Sequence, residues 1–221
     1  MLQDSGEVRR TVASDWELGP RRFPIERWLI ATVLCALLVA VAFLYFDLPV
    51  ARLVAGMFGS TKALSTGLAS DVLLGIEGSI ALALVLQRIM RGRLSPFREA
   101  TALACLTSIC AYAINDNALK HLFGVPDPSV VLEGTRHVLN LFGGSRGSSF
   151  PSGHMVIAGA FAGVFMRLYR RSVLPLSSLL LVAAVLLILG DWHFISDVIA
   201  GSFVGVSAGL LAGEVWLVHR R

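Results

Sequence analysis

Six apolar runs, separated by polar stretches, dominate the pattern of hydrophobic and polar positions along the chain. They cover about Trp28–Phe46, Leu68–Gln87, Ala100–Leu119, Ser152–Tyr169, Leu174–Leu189 and Phe194–Val218. A helix needs about 20 mostly apolar residues to cross the hydrocarbon core of a bilayer, and each run is close to that length. None of the runs alternates between apolar and polar residues as the strands of a membrane barrel do. The pattern predicts an all-α polytopic membrane protein with six transmembrane helices.

The composition agrees with a membrane protein and narrows the range of partners. Hydrophobic residues make up 55% of the 221 residues and charged residues only 15%, whereas soluble domains carry about 25% charged residues. The formal net charge is +4, and the sequence has no basic face of the kind that binds nucleic acid, so membrane lipids are the expected partners. The three cysteines, an odd number without the spacing of zinc ligands, predict neither a disulfide framework nor a zinc site.

The distribution of arginine and lysine predicts how the chain is oriented. Fourteen of the 19 basic residues lie in four polar segments, which are 1–27, 88–98, 167–171 and 220–221. With six spans these segments all fall on one side, and an excess of basic residues marks the cytoplasmic side. We therefore expect a protein of the cell (inner) membrane, with a cytoplasmic tail at 1–27, a membrane domain at 28–221 and both termini inside. The loop 120–151 and the turn 190–193 are expected outside.

Glycine recurs every four residues along the sixth run, at positions 201, 205, 209 and 213. Gly159 and Gly163 repeat this spacing once in the fourth run. Small residues four apart share one helix face and allow two backbones to approach closely within lipid. The pattern predicts close packing of these two helices.

Three polar clusters border the predicted spans. Lys120–Pro128 follows the third run, Ser149–His154 opens the fourth run, and Gly190–Asp197 opens the sixth run. The predicted topology brings all three clusters to the outer membrane face, which indicates that they build one site.

The second cluster has the features of an anion site at a helix N-terminus. Pro151 is expected in the first helical turn, where a missing N–H does no harm. The N–H groups of Ser152 and Gly153 would then be free to bind an anion. His154 would lie beside that anion.

The third cluster pairs an imidazole with a carboxylate. His193 and Asp197 are four residues apart and would share one face of a helix. A carboxylate at one ring nitrogen holds the tautomer and leaves the other nitrogen as a nucleophile or base. With His154 as acid and base and Lys120 as a positive charge, these groups suit phosphoryl transfer. The sequence has no acidic cluster with metal-ligand spacing, so neither a metal nor another cofactor is expected.

The three clusters resemble the three motifs of the type 2 phosphatidic acid phosphatase family (PAP2), which is related to the vanadium haloperoxidases. The matching segments are LKHLFG at 119–124, FPSGH at 150–154 and HFISDVIAG at 193–201. The resemblance covers about residues 100–215 and implies a six-span protein with a PAP2-type helical bundle core.

The resemblance also implies roles in binding and hydrolysing a lipid phosphate. These roles fall on Lys120, Ser152 and Gly153 as phosphate binders, His154 as acid and base, His193 as nucleophile and Asp197 as the residue that orients it. The chain departs from the family at two positions that usually hold arginine, where it has Asp127 and Leu187. Either the site is weakened or another arginine substitutes, and Arg146 is the nearest candidate, with Arg136 second.

Three functions are compatible with these features. The leading one is hydrolysis of a lipid phosphate or diphosphate monoester at the outer face through a phosphohistidine. Undecaprenyl diphosphate, phosphatidic acid, phosphatidylglycerol phosphate and lipid A phosphates are all candidate substrates. The alternatives are a lipid phosphotransferase and a PAP2-fold protein that binds lipid headgroups with weakened catalysis. The sequence leaves the oligomeric state open.

A few further residues receive only structural interpretations. Asp116 and Lys120, four apart, are expected to form an ordinary helix ion pair. His121 and His137 lie in or beside the outer loop without motif spacing and are interpreted as incidental. Asp71 is expected near the outer surface, and Glu77, deeper in the second run, is given no role.

Overall fold

The computed structural model describes residues 25–58 and 66–220, and every regular element within them is helical. The α-helices are α1 (Ile25–Val41), α2 (Asp47–Phe58), α3 (Thr66–Arg91), α4 (Pro96–Ile114), α5 (Lys120–Phe123), α6 (Pro128–Leu132), α7 (Gly153–Leu168), α8 (Val173–Leu189) and α9 (Ile195–His219). Two π-helical turns, Ala42–Phe46 and Asn115–Leu119, join α1 to α2 and α4 to α5. The predicted all-α membrane fold is confirmed.

Among the residues that the structure describes, five stretches are long and apolar enough to cross a membrane. They are Ile25–Phe58, Ala69–Arg91, Pro96–Leu132, Arg170–Leu189 and Ile195–His219. The other predicted span corresponds to α7, which has 16 residues and is somewhat shorter than the roughly 20 that a bilayer requires. Most residues of α7 are buried, because α4, α8 and α9 pack around it. The count of six spans is therefore approximate, and α7 is the central helix of the bundle.

The first helix is longer than the sequence indicated. The predicted end at Phe46 is wrong, because a π-helical turn carries the helix on to Phe58. This wide turn lies just before Pro49, which has no N–H to donate. The helix already begins at Ile25, inside the predicted tail 1–27. The rest of that tail lies outside the described residues.

The predicted outer loop 120–151 also begins with helix. Lys120–Phe123 continues the third span after a π-helical turn. This helix ends at Gly124, whose φ of +50° is the left-handed conformation that commonly terminates helices. After the short helix α6, residues 133–152 connect to α7.

The glycine pattern lies at the contact between α7 and α9. All four glycines of α9 are buried. A Cβ atom on Gly205 would lie 2.5 Å from the carbonyl oxygen of Val156, and one on Gly163 would lie 2.6 Å from that of Val206. The predicted close packing of these helices is confirmed.

This packing predicts a specific sensitivity to a single methyl group. Gly205→Ala would push a Cβ atom against the backbone of α7, and overpacking of this kind costs about 1–3 kcal/mol. We expect a lower free energy of unfolding and a lower melting temperature in detergent micelles. Gly75→Ala is the matched control, because a Cβ atom there meets nothing within 4 Å. Equal melting temperatures for the two variants would contradict the packing account.

Candidate functional site

The N-termini of α7 and α9 meet, and this meeting brings the two predicted catalytic histidines together. The Ser152 N–H donates to the carbonyl oxygen of Asp197 at 3.1 Å, which joins the first residues of both helices. His154 Nδ1 then lies 3.3 Å from His193 Nε2. Both rings are buried.

His193 and Asp197 also contact each other, but not in the predicted way. They do not share a helix face, because α9 begins only at Ile195 and His193 precedes it. Asp197, in the first helical turn, accepts the N–H of Phe194 at 2.9 Å, which folds the chain back over the helix end. As a result, Asp197 Oδ2 lies 3.5 Å from His193 Nδ1. The carboxylate therefore caps the helix and faces the imidazole at once.

A serine completes this pair. The Ser149 hydroxyl donates to Asp197 Oδ2 and lies 3.4 Å from His193 Nδ1. A proton on Nδ1 therefore points toward the hydroxyl and the carboxylate, and the lone pair of Nε2 remains on the side of His154. Ser149 stands at the start of the second cluster in the sequence, but nothing in its spacing indicated this role.

The other side of His154 contacts α3, where Ser70 Oγ lies 3.2 Å from His154 Nε2. The centroid of the Trp192 ring lies 5.4 Å from that of the imidazole. Ser70 was missed by the sequence analysis because it belongs to no motif, although the neighbouring Asp71 was expected near the outer surface. Asp71, the next residue, is exposed, and its place near the outer surface stays a prediction.

The start of α7 differs in two respects from the prediction. Pro151 precedes the helix instead of entering its first turn, and Ser152 is the N-cap residue, with its hydroxyl accepting the Met155 N–H at 3.4 Å. The Ser152 N–H is already bound to Asp197 and is not free for an anion. The Gly153 N–H remains in the first turn, where a helix supplies no acceptor. This is a group that an anion could meet.

Gly153 is required by its surroundings. A Cβ atom at this position would lie 2.9 Å from the ring of Tyr112 in α4. Asn115, at the end of the same helix, donates its Nδ2 to the carbonyl oxygen of Pro151 at 3.2 Å. The third span therefore holds the backbone that leads into the first turn of α7.

Lys120 and Arg146 form a second, cationic part of the site. Lys120 Nζ lies 3.3 Å from Asp116 Oδ1, the expected helix pair. It also donates to the carbonyl oxygen of Arg146 at 3.2 Å. Arg146 Nη2 donates to Asn117 Oδ1 at 2.8 Å, and its Nε lies 3.6 Å from Asp116 Oδ2. Two cations thus share one carboxylate, and the Arg146 side chain is 72% exposed.

Tyr112 connects the two parts. It lies near Ser70, which contacts His154, and within electrostatic range of Asp116 and Arg146. Tyr112 is therefore near both the pair of histidines and the pair of cations. The structure brings His154 into contact with His193 and Lys120 into contact with Arg146, and a single site that contains all four residues stays a prediction.

A buried carboxylate of the first span, that of Asp47, supports the site by binding the first turn of α9. Asp47 Oδ1 accepts the Ser196 N–H at 3.0 Å, and its Oδ2 accepts the Ser196 hydroxyl at 2.5 Å. Ser196 lies in the first turn of α9, next to Asp197. Asp47 therefore caps α9 from another helix. An acidic residue in an apolar stretch was the only sequence signal for this role.

His137 belongs to the same support. Its Nε2 lies 3.5 Å from Asp47 Oδ2, and its ring packs on Phe43 and Phe194, with centroids 4.2 and 4.4 Å away. Burial lowers the pKa of His137, and the charges of Asp47 and Asp197 partly oppose that shift. The interpretation of His137 as incidental is wrong, because its ring fills the space between the first span and α9.

At the two positions where the family usually has arginine, this chain has residues with structural roles. Asp127 is the residue before α6 and leads into it in an extended conformation. Leu187 is buried against Met155 and Val198. The apolar side chain at 187 therefore serves the packing of α8.

The described part of the chain was compared with the expectation that no metal site is present. Within residues 25–58 and 66–220, no three His, Cys, Asp or Glu side chains are grouped so that they could hold a metal ion. Cys35, Cys105 and Cys110 are free thiols, so the chain carries no disulfide.

Comparison with known proteins identifies one family. The family model described as PAP2 superfamily matches residues 101–220, which is more than half of the chain. The matched range includes Lys120, Arg146, both histidines and Asp197. No curated protein and no solved structure matches the chain.

Asp47 caps α9 although the two are far apart in the sequence. Its substitution should therefore lower the stability of the protein. Asp47→Ala would leave the N–H and hydroxyl of Ser196 buried without an acceptor, which costs about 1–3 kcal/mol. We expect a lower melting temperature in detergent, with Asp47→Asn intermediate because it keeps one acceptor. The control is Asp71→Ala, at an exposed position. If Asp47→Ala were as stable as this control, the proposed support would be contradicted.

Proposed function

The chain belongs to the PAP2 superfamily, whose members are generally phosphatases acting on phosphate esters, and we propose that it hydrolyses a lipid phosphate or diphosphate monoester within the membrane. The observation that carries the proposal is the buried contact between His154 and His193, with Asp197 at the far side of His193. The helices that hold these residues are apolar enough to span a bilayer or are enclosed by such helices. A substrate with a membrane-embedded tail reaches such a site directly.

The proposed reaction proceeds in two steps. In the first, His193 Nε2 attacks phosphorus, the bond to the leaving oxygen breaks, and His154 donates a proton to that oxygen. In the second, His154 takes a proton from water, and the resulting hydroxide attacks the phosphohistidine. Inorganic phosphate leaves and His193 is regenerated. Asp197 and Ser149 stabilise the positive charge that forms on the His193 ring. Protein groups supply every part, so the proposed reaction is independent of metal ions.

The contact between the histidines sets a requirement for substrate binding. At 3.3 Å, His154 Nδ1 and His193 Nε2 leave no room for a phosphorus atom between them. His193 is held on its other side by Ser149 and Asp197. In the proposed complex His154 therefore moves aside, and its hydrogen bond to Ser70 is the interaction that this movement changes.

Phosphate binding is assigned to backbone and cationic groups. The Gly153 N–H lies at a helix N-terminus, which favours anions. Lys120 and Arg146, which contact each other, would add two positive charges. Arg146 would take the part of the arginines that Asp127 and Leu187 replace, because a guanidinium can bind two phosphate oxygens at once.

The arginine distribution supports a site on the outer face. Arg88 and Arg91 end α3, and Arg167 ends α7. The site instead involves the starts of α7 and α9, at their opposite ends. Since basic residues favour the cytoplasmic side, we propose that both termini are cytoplasmic and that the substrate is presented at the periplasmic or extracellular side of the cell membrane.

Substitution of the proposed nucleophile, His193, should abolish an activity that substitution of a distant histidine leaves intact. His193→Ala should lower phosphate release by about 1,000-fold or more, since it removes the group that bonds to phosphorus. The assay measures inorganic phosphate released in detergent from a panel of lipid phosphates and diphosphates, with and without a chelator. His219→Ala is the control, because His219 is exposed near the other end of α9. Equal release by both variants would favour a protein that only binds lipid headgroups, and loss of activity in chelator would contradict the metal-independent reaction.

The substitute arginine predicts a change in substrate binding. Arg146→Ala removes a charged hydrogen-bonding group worth about 1.5–3 kcal/mol, so KM should rise by about tenfold or more, with a smaller change in kcat. The matched control is Arg136→Ala, an exposed arginine of the same connection. The assignment is refuted if Arg136→Ala raises KM and Arg146→Ala does not.

A further inference from the structure

An exposed apolar segment lies beside the cationic part of the site. Val138, Leu139, Leu141 and Phe142 are 47, 48, 57 and 84% exposed. Asn140, between them, is the one polar residue of this segment, which we term the apolar loop (138–142). Four large apolar side chains within five residues exceed the scattered exposure of a normal protein surface and mark an interaction site.

The apolar loop is held against the end of a membrane-spanning helix. The Phe142 N–H donates to the carbonyl oxygen of Leu122 at 2.8 Å, and the Gly144 N–H donates to that of His121 at 3.1 Å. A Cβ atom on Gly124 would lie 2.5 Å from the carbonyl oxygen of Asn140, so the two backbones are in direct contact. The position of the loop is therefore tied to the last turn of α5.

The length of that helix sets the depth of the loop. Helix runs from Pro96 through the π-helical turn to Phe123, which is about 40 Å at 1.5 Å per residue. The hydrocarbon core of a bilayer is about 30 Å thick, and with the headgroup layers it reaches about 40–45 Å. A segment bound to the end of this helix therefore lies at the level of the headgroups, where apolar side chains can reach the acyl chains.

The conformation of Phe142 indicates that its exposure is built into the loop. Its φ is +60°, a left-handed conformation that is uncommon for a bulky residue. The hydrogen bond to Leu122, and that from the Gly143 N–H to Asn140, hold the backbone in this form. The aromatic side chain is thereby presented outward and not folded against the helices.

The charges on either side of the loop fit a lipid surface. Arg136 precedes the loop and Arg146 follows it, and no charged residue lies between them. Both arginines are exposed. Apolar side chains flanked by basic residues are typical of segments that lie in the membrane interface, with the cations among the lipid phosphates.

We propose that the apolar loop inserts into the bilayer leaflet nearest the candidate site, with Leu141 and Phe142 at the boundary between headgroups and acyl chains. The surface of the protein that contacts lipid then extends from α5 to the apolar loop. This inference concerns the membrane contact alone and holds whether or not the protein hydrolyses a lipid phosphate.

The test measures the depth of the loop in a lipid bilayer. Cys35 and Cys110 are replaced by alanine, and the fully buried Cys105 is kept. A nitroxide label is attached at Phe142→Cys in the full chain, reconstituted in phosphatidylcholine and phosphatidylglycerol nanodiscs. Its exposure to oxygen, which concentrates in lipid, is compared with its exposure to a water-soluble nickel chelate. Thr135→Cys, an exposed polar position of the same connection, is the reference.

The expected result is a label at 142 that oxygen relaxes several-fold more strongly than the nickel chelate does, with the reverse order at 135. Leu141→Cys provides a second reading in case the label at 142 disturbs the loop, and size-exclusion chromatography verifies that each variant is folded. A label at 142 and 141 as open to the nickel chelate as the one at 135 would overturn the proposal. A label shielded from both reagents would also overturn it, because another protein surface, such as a second copy of the chain, would then cover the loop.

Discussion

The arrangement of the site depends on one hydrogen bond between two helix ends, that from the Ser152 N–H to the carbonyl oxygen of Asp197. It forms because the glycines of α7 and α9 let the two backbones approach closely along their length. Helices that pack at this separation present their first turns side by side, and the imidazoles of His154 and His193 then lie in contact. The same small residues that stabilise the bundle therefore determine where the two histidines meet.

Buried polar groups from separate parts of the chain hold this geometry. Ser149 and Phe194 bind the carboxylate of Asp197, and Asp47 binds Ser196 in the same helical turn. Polar groups buried in this way are costly unless they are paired, so each bond disfavours alternative positions of the helix end. The orientation of His193 is thus established before any substrate binds, while His154, bound to Ser70 on its other side, is the group that has to adjust.

The sequence predicted the features that repeat or that form short motifs. The helical class, the packing of α7 on α9 and the contact between His154 and His193 could be predicted from the spacing of apolar, glycine and polar residues. The supporting contacts could not, since Ser70, Asp47 and His137 lie outside the motifs and depend on which helices become neighbours. The helix ends were also wrong where a π-helical turn continued the helix, at Phe46 and at Leu119, because a polar residue was taken as the end of a span. These polar residues are Asp47 and Lys120. Asp47 binds Ser196, and Lys120 binds the carbonyl oxygen of Arg146, so both are paired by contacts with distant parts of the chain.

The account makes one claim that can be measured at a single atom, which is that His193 Nε2 forms a bond to phosphorus. His154→Gln should slow the second step, because no base is left to activate water. With an aryl phosphate, whose acidic leaving group needs no proton donor, the first step continues and the intermediate should accumulate. The measurement is mass spectrometry of protein quenched at alkaline pH during turnover of such an aryl phosphate. The account predicts a phosphoryl group on His193 that is absent from His193→Ala. Turnover without any phosphorylated histidine, or a phosphoryl group on another residue, would contradict it.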